Sequence, residues 1–154
     1  VVVLDNVRSQ HNVGSVFRTS DAFRVGKVFL CGITAVPPHR EIQKSALGAT
    51  ESVDWSYHES VMDCIGFLKD EEYLICPVEQ ADTSIDIKDF VPPPQMKIAL
   101  IFGNEVHGVS QEVMDIATYA LELPQFGTKH SLNISVCAGI AIWEMFNHYK
   151  YLIQ

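Results

Sequence analysis

Four short apolar runs limit what this chain can become: residues 1–6 (VVVLDN), 27–33 (KVFLCGI), 73–78 (YLICPV) and 97–102 (KIALIF). Each is too short for a buried helix. Each is close to uniformly apolar rather than alternating, which is how a strand reads when both of its faces are covered. Segments of helical period lie between them. Residues 11–23 carry Val13, Val16 and Phe17 at helical spacing, with Asn12 placed as an N-cap. Residues 60–72 set Val61, Ile65 and Leu68 on one face, and residues 110–116 start at a capping Ser110. Residues 131–149 repeat Leu132, Val136, Ile140 and Trp143 as an apolar stripe, with Ser131 as the cap and Glu144 the one acidic or basic side chain apart from His148. So apolar a helix is expected to be buried, at a subunit interface. Residues 53–58 and 119–123 read as further strands. Residues 34–50, with Pro37, Pro38 and Gly48, read as loop, and residues 82–95, ending in three prolines, as a polar surface loop. The alternation predicts an α/β fold with a mostly parallel sheet flanked by helices, and ligands of such sheets bind beyond the carboxyl ends of the strands.

A length of 154 residues fits one domain, 1–154, with enough chain for a real core. Hydrophobic residues at 47% and charged residues at 19% argue against disorder. No run is long enough to cross a membrane, and no signal peptide is visible. The chain opens on Val1 rather than Met, which points to a trimmed start. Cys31, Cys64, Cys76 and Cys137 form no C-x-x-C pair and sit in apolar surroundings, so they read as reduced thiols of a cytoplasmic protein, not as a zinc site. The net charge of −8 excludes a uniformly basic nucleic-acid binder, but it hides an asymmetry. Residues 1–44 hold six basic and three acidic residues, a net of +3, while the remainder holds five basic and sixteen acidic residues, a net of −11. One surface suited to an anion, or a chance clustering on solvated faces, would give this pattern.

Three segments carry the chemistry. Residues 103–110 (GNEVHGVS) follow a strand and precede a helix, with glycine spacing like a phosphate-binding loop but Val109 at the lysine position, so they do not make a nucleotide-triphosphatase loop. Two glycines there let backbone approach a ligand, and Glu105 puts an acid in the cleft; a plain turn is the alternative. In residues 123–133 (LPQFGTKHSLN) Ser131 and Asn133 serve as caps or offer polar groups to a ligand. In residues 12–18 Asn12 and Arg18 stand on one helix, where Arg18 pairs with Asp21 or faces a ligand.

In this order, LDNVRSQHNVGSVFRTSDAF, IALIFGNEVHGVS and LELPQFGTKHSLNISVCAGIAIWE resemble the three signature motifs of the SpoU (TrmH) family of RNA ribose 2′-O-methyltransferases, in the SPOUT superfamily, over essentially the whole chain. The resemblance implies a sheet whose C-terminal part threads a deep trefoil knot, S-adenosylmethionine bound within that knot without a metal, a homodimer, and an RNA substrate. A short chain without appended modules favours tRNA over rRNA, by analogy. Arg18 is then the catalytic arginine, beside the 2′-hydroxyl and the neighbouring phosphate. Asn12, Glu105, Ser131 and Asn133 match the other polar positions, with Glu105 orienting Arg18 or Asn12 and Asn133 anchoring the site. Phe102, Gly103, Asn104, Gly108, Leu123, Gln125 and Leu132 are the expected cofactor contacts, largely through backbone. Arg8, Arg40 and Lys44 are the expected RNA phosphate contacts, the last two on an exposed basic loop at residues 37–44. Two departures stand out: Ser9-Gln10-His11 where the family often has a proline, and Gln125 where it has an apolar side chain. A knotted dimer that binds RNA or nucleotide without catalysis, methyl transfer to a base, and rRNA as substrate remain the alternatives.

Overall fold

The apolar runs pair as parallel strands in the computed structural model, which describes residues 1–128 and 131–152. Strands β1 (Val2–Asp5), β2 (Val28–Cys31), β3 (Trp55–His58), β4 (Tyr73–Pro77) and β6 (Lys97–Phe102) form one sheet in the order β3-β2-β1-β6-β4, every pair parallel. Side chains alternate between its faces. Val2, Leu4, Val28, Leu30, Leu100 and Phe102 enter one core with helices α1 (Gln10–Ala22), α2 (Arg40–Ala46) and α6 (Ile134–Tyr149). Val3, Phe29, Cys31, Ile75, Ala99 and Ile101 enter the other with α4 (Val61–Asp70) and α5 (Gln111–Asp115). Covered on both sides, the central strands have no face that calls for polar residues, which is why their sequences do not alternate. β1 and β6 are neighbours from which the strand order runs outward in both directions, so a crevice opens beyond their carboxyl ends.

Several expectations are corrected. The N-cap of α1 is Ser9, whose hydroxyl accepts from the Asn12 N–H at 3.3 Å; Asn12 lies inside the helix, buried, with its side chain released from capping. Residues 34–50 are not simply loop: they contain α2 and α3 (Ala49–Ser52). Ile42 and Ala46, one turn apart, are fully buried against the core, and His39 Nδ1 accepts from the Glu41 N–H at 3.3 Å, so Arg40 and Lys44 stand on a helix instead of a basic loop. Residues 82–95 are more than a surface loop, because β5 (Ile85–Asp86) lies there and Ile87 and Phe90 are buried. Its partner is β7 (Leu121–Glu122), shorter than expected and outside the main sheet. β7 continues past the end of β4, where Glu79 donates its N–H to Leu121 O at 2.8 Å.

α6 starts at Ile134 under Asn133, whose Oδ1 accepts from the Ser135 N–H at 2.9 Å; Ser131 is not its cap. The helix buries Ile134, Ala138, Ala141, Ile142 and Met145. The stripe read from the sequence is not the buried side: Val136, Ile140 and Trp143 on the helix, and Leu132 just before it, are 39–50% exposed. A helix apolar all round does not reveal which side its own core takes. All four cysteines are free thiols, three of them buried and Cys137 half-buried. Among the described residues no helix is long and apolar enough to cross a membrane.

The contact between α1 and α2 depends on Gly14, where an added Cβ would overlap the Ser45 hydroxyl and the Ile42 carbonyl oxygen. Backbone cannot retreat as a flexible side chain does, so Gly14→Ala is expected to lower the urea midpoint, by about 1–3 kcal/mol of stability as in other overpacked cores. Gly66→Ala at an exposed position of α4, with nothing within 4 Å of its Cβ, is expected to leave stability equal or raised in the same assay.

Candidate functional site: two loops over the carboxyl ends of the strands

The chain leaves β6 at the buried Phe102 and closes a tight loop over residues 103–109. Asn104 N–H donates to Gly108 O at 3.1 Å and Gly108 N–H donates to Asn104 O at 2.8 Å. Gly103 packs so closely on Gly108 that a Cβ would strike the Gly108 carbonyl, and Gly108 has φ +68°, the left-handed region, against the Glu79 carboxylate. Asn104 Oδ1 accepts from the N–H groups of Val106 (2.9 Å) and His107 (3.1 Å), and its Nδ2 donates to Asn6 O beyond β1 at 2.7 Å. Two carboxylates tie the loop to its surroundings, Glu79 from outside it and Glu105 from within it. Glu79 Oε2 accepts from the Val109 N–H at 2.9 Å and its Oε1 from the Gln80 N–H at 3.1 Å. Glu105 accepts from the N–H groups of Arg8 and Ser9, both at 2.9 Å. Burial works to raise the Glu105 carboxyl, but the backbone N–H groups of Arg8, Ser9 and Glu105 itself, with the Asn12 side chain, outweigh it and hold it below its ordinary value.

The described residues of the second loop, 123–128 and 131–133, include Leu123, Gln125, Ser131, Leu132 and Asn133, which line the same cavity as residues of the first. Asn133 caps α6 with Oδ1 and donates Nδ2 to Asn12 Oδ1 at 3.2 Å. Between the loops lies a cavity of about 520 Å³, in the size range of small-molecule sites. Phe102, Leu123, Leu132 and Ile134 give it apolar walls, and Glu79 and Gln125 add polar groups. Cys137 of α6 also lines it, its thiol pushed up to about 11 by burial and then by the Glu79 charge.

Of the polar residues singled out in the sequence, Asn12 and Asn133 are hydrogen-bonded to each other, and Glu105 lies near Asn12. Ser131 is exposed on the cavity wall. Arg18 is exposed on α1, and among the described residues it forms no ion pair; Asp21 accepts from the Ser52 hydroxyl at 2.6 Å instead. Glu105 is bonded to the backbone of residues 8 and 9, with the Asn12 side chain close by, and forms no ion pair with Arg18. Phe102, Gly103, Asn104, Gly108, Leu123, Gln125 and Leu132 all line the cavity. Arg8 adjoins it through the Glu105 bond. Arg40 and Lys44 are exposed on α2, outside the cavity wall, and Lys44 pairs with Glu41 at 2.7 Å, which also holds the Glu41 carboxyl down. Lys129 and His130 of the second loop lie outside the described residues. Glu79 escaped the sequence reading. Its signal is an acid directly after a buried strand, at the end of the sheet where ligands bind.

The lowered Glu105 pKa makes its contribution to stability largest above the ordinary glutamate range, and that contribution is lost as pH falls through the lower folded value. Glu105→Gln is therefore expected to lower the urea midpoint at neutral pH, and the gap from wild type to narrow below about pH 4.

Residues 1–143 match the SpoU rRNA Methylase family. A protein of Staphylococcus haemolyticus assigned to the TrmH family of tRNA/rRNA methyltransferases is 31% identical over 146 residues, covering 95% of this chain and 57% of that protein. The fold superposes on the AdoMet-bound rRNA methyltransferase of Sinorhizobium meliloti with a TM-score of 0.88 and 25% identity, covering 99% of this chain and 56% of that one. It also superposes on the TrmH/SpoU tRNA-modifying enzyme of A. aeolicus, with a TM-score of 0.87, 24% identity, and 99% and 76% covered. The chain spans somewhat more than half of the S. haemolyticus and S. meliloti proteins. With nearly all of its length matched, this chain belongs to the SpoU rRNA methylase family.

Proposed function

We propose that this domain transfers a methyl group from S-adenosylmethionine to a ribose 2′-hydroxyl of RNA, tRNA in preference to rRNA. The observation that carries the proposal is a cavity lined by Glu105 and Asn133 from the two loops, with Asn133 hydrogen-bonded to buried Asn12 of α1. The residues fit the cofactor. The cavity is large enough, Phe102, Leu123, Leu132 and Ile134 suit an adenine ring, and the 103–109 loop is closed so tightly that only backbone faces a ligand at its glycines. When bound, the cofactor supplies an electrophilic methyl on a sulfonium. The chain's contribution is to align the acceptor in line with it, a positioning effect of roughly 7–11 kcal/mol in favourable cases.

Arg18 acts as phosphate clamp and stabiliser of the developing alkoxide. A guanidinium that stays protonated to pH above about 12 is a poor base but a good bidentate donor. Six residues before it on α1, buried Asn12 bonds Asn133, and ionised Glu105 holds the backbone of Arg8 and Ser9, so the start of α1 is fixed relative to the cavity. RNA lies across the α1–α2 face, with Arg8, Arg40 and Lys44 as phosphate contacts. The net charge of −8 and the Glu41 partner of Lys44 make that binding weak and strongly salt-dependent. The same reading includes a trefoil knot, supported by β7 running past the end of β4 and α6 returning onto α1. It includes a cytoplasmic setting, in keeping with free thiols. It also includes a homodimer, since Val136, Ile140 and Trp143 present an apolar face that a second copy would cover.

Labelled methyl from S-adenosylmethionine, offered with total RNA, is expected in a 2′-O-methylnucleoside of the tRNA fraction after nuclease digestion. Label in a methylated base, or no transfer with cofactor binding intact, would overturn the reaction; label confined to rRNA would overturn the substrate. Arg18→Ala is expected to cut transfer about 100-fold or more, and Arg18→Lys to restore only a minor part, because an ammonium lacks the planar fork. Trp143→Glu is expected to give a monomer by sedimentation, with loss of the dimer peak as the readout.

A further inference from the structure

We infer that Glu79 is the specificity-determining charge of the cavity, selecting the cationic methyl donor over its neutral product. The inference rests on the cofactor reading above and concerns a residue to which that reading gives no role. The Glu79 carboxylate lines the cavity and is held in place at both oxygens, by the Val109 N–H at 2.9 Å and the Gln80 N–H at 3.1 Å. It lies directly against Gly108, where any Cβ would collide with it. Its charge reaches Cys137 on α6, so its influence extends into the space between loop and helix. Each carboxylate oxygen accepts one of these N–H bonds, which leaves further lone pairs on a residue that lines the cavity.

The other charged lining residue is Glu105, already engaged by the backbone of Arg8 and Ser9 on the outer side of the loop. Among the described residues no lysine or arginine lines the cavity; His107 at the loop tip is the one basic side chain. A fixed carboxylate in a cavity also lined by the apolar Phe102, Leu123 and Ile134 interacts more strongly with a cation than it would in water. Methyl transfer removes that cation. The S–CH3 bond breaks with its electron pair left on sulfur, the O–CH3 bond forms, and the 2′-hydroxyl proton leaves to solvent, so the sulfonium becomes a neutral thioether. Glu79 thus grips the substrate form and loosens its hold on the product form, which favours release after each turnover.

Binding separates this role from a purely structural one. Calorimetry of the full chain with S-adenosylmethionine, S-adenosylhomocysteine and sinefungin, whose amine replaces the sulfonium, gives three affinities. Glu79→Gln keeps a carbonyl acceptor for the Val109 N–H and removes the charge. It is expected to weaken S-adenosylmethionine and sinefungin roughly tenfold, the effect of a charge pair a few ångströms apart in a partly dry site, and to leave S-adenosylhomocysteine within about twofold. Equal weakening of all three, the result of a loop staple alone, would overturn the proposal, as would no weakening of any. In the wild type, rising salt is expected to lower the affinity ratio of S-adenosylmethionine to S-adenosylhomocysteine; a ratio constant from about 50 to 500 mM salt counts against the proposal without any variant. A wild-type chain that binds none of the three ligands overturns the cofactor reading itself, and Glu79's role with it.

Discussion

A loop that leaves a buried strand and must turn back at once brings backbone N–H groups with it, and those groups have to be paired. Here Asn104 and Gly108 pair with each other through backbone, and two carboxylates and one amide tie the rest of the loop and its neighbours together. Glu79 takes the N–H of Val109, Glu105 takes those of Arg8 and Ser9, and Asn104 takes two within the loop while bonding Asn6 O. Everything else at the site depends on this set of bonds. Without it the 103–109 segment would have no fixed distance from β1, from α1 or from the end of β4. The two glycines are the other half of the arrangement, since the bonds form only because no Cβ stands between Gly103 and Gly108 or between Gly108 and Glu79.

The sheet supplies the frame. Its five parallel strands are covered on both faces, so their positions are set by packing on two sides rather than one. Close packing makes such a frame stiff, and the loops at its carboxyl end inherit that stiffness where they begin and end. α6 is the exception, with one face in the core and an equally apolar face left exposed. Its composition serves two environments at once, one inside the chain and one outside it.

Much of this was legible from residues alone. The run KIALIF is β6 to the residue, and Val13, Val16 and Phe17 gave α1 by their spacing. The seven cavity residues named from the motifs all line one cavity, because they flank strand ends that the sheet gathers together. What stayed hidden has physical reasons. α2 is two turns long and follows Pro37-Pro38, so punctuation masked its two buried positions, Ile42 and Ala46. β5 and β7 are two residues each, too short for a period, and pair only because distant parts of the chain meet. Asn12 looked like a cap because Asn favours caps, but Ser9 one turn earlier serves, and the amide is freed for Asn133. Glu79 has no motif around it; its importance comes from Gly108, 29 positions along the chain and adjacent in space.

The Asn12–Asn133 bond spans 121 positions of sequence. A ribosome that has delivered the first helix must add most of the remaining chain before the second amide exists, and closing so long an interval is slow and entropically costly. During that time the first loop can form against β1, but its polar cluster lacks one member and the cavity lacks the wall supplied by Leu132 and Ile134. The cavity wall is therefore complete only once residues 131–137 have been added, and one face of the sheet stays partly uncovered until α6 packs onto it.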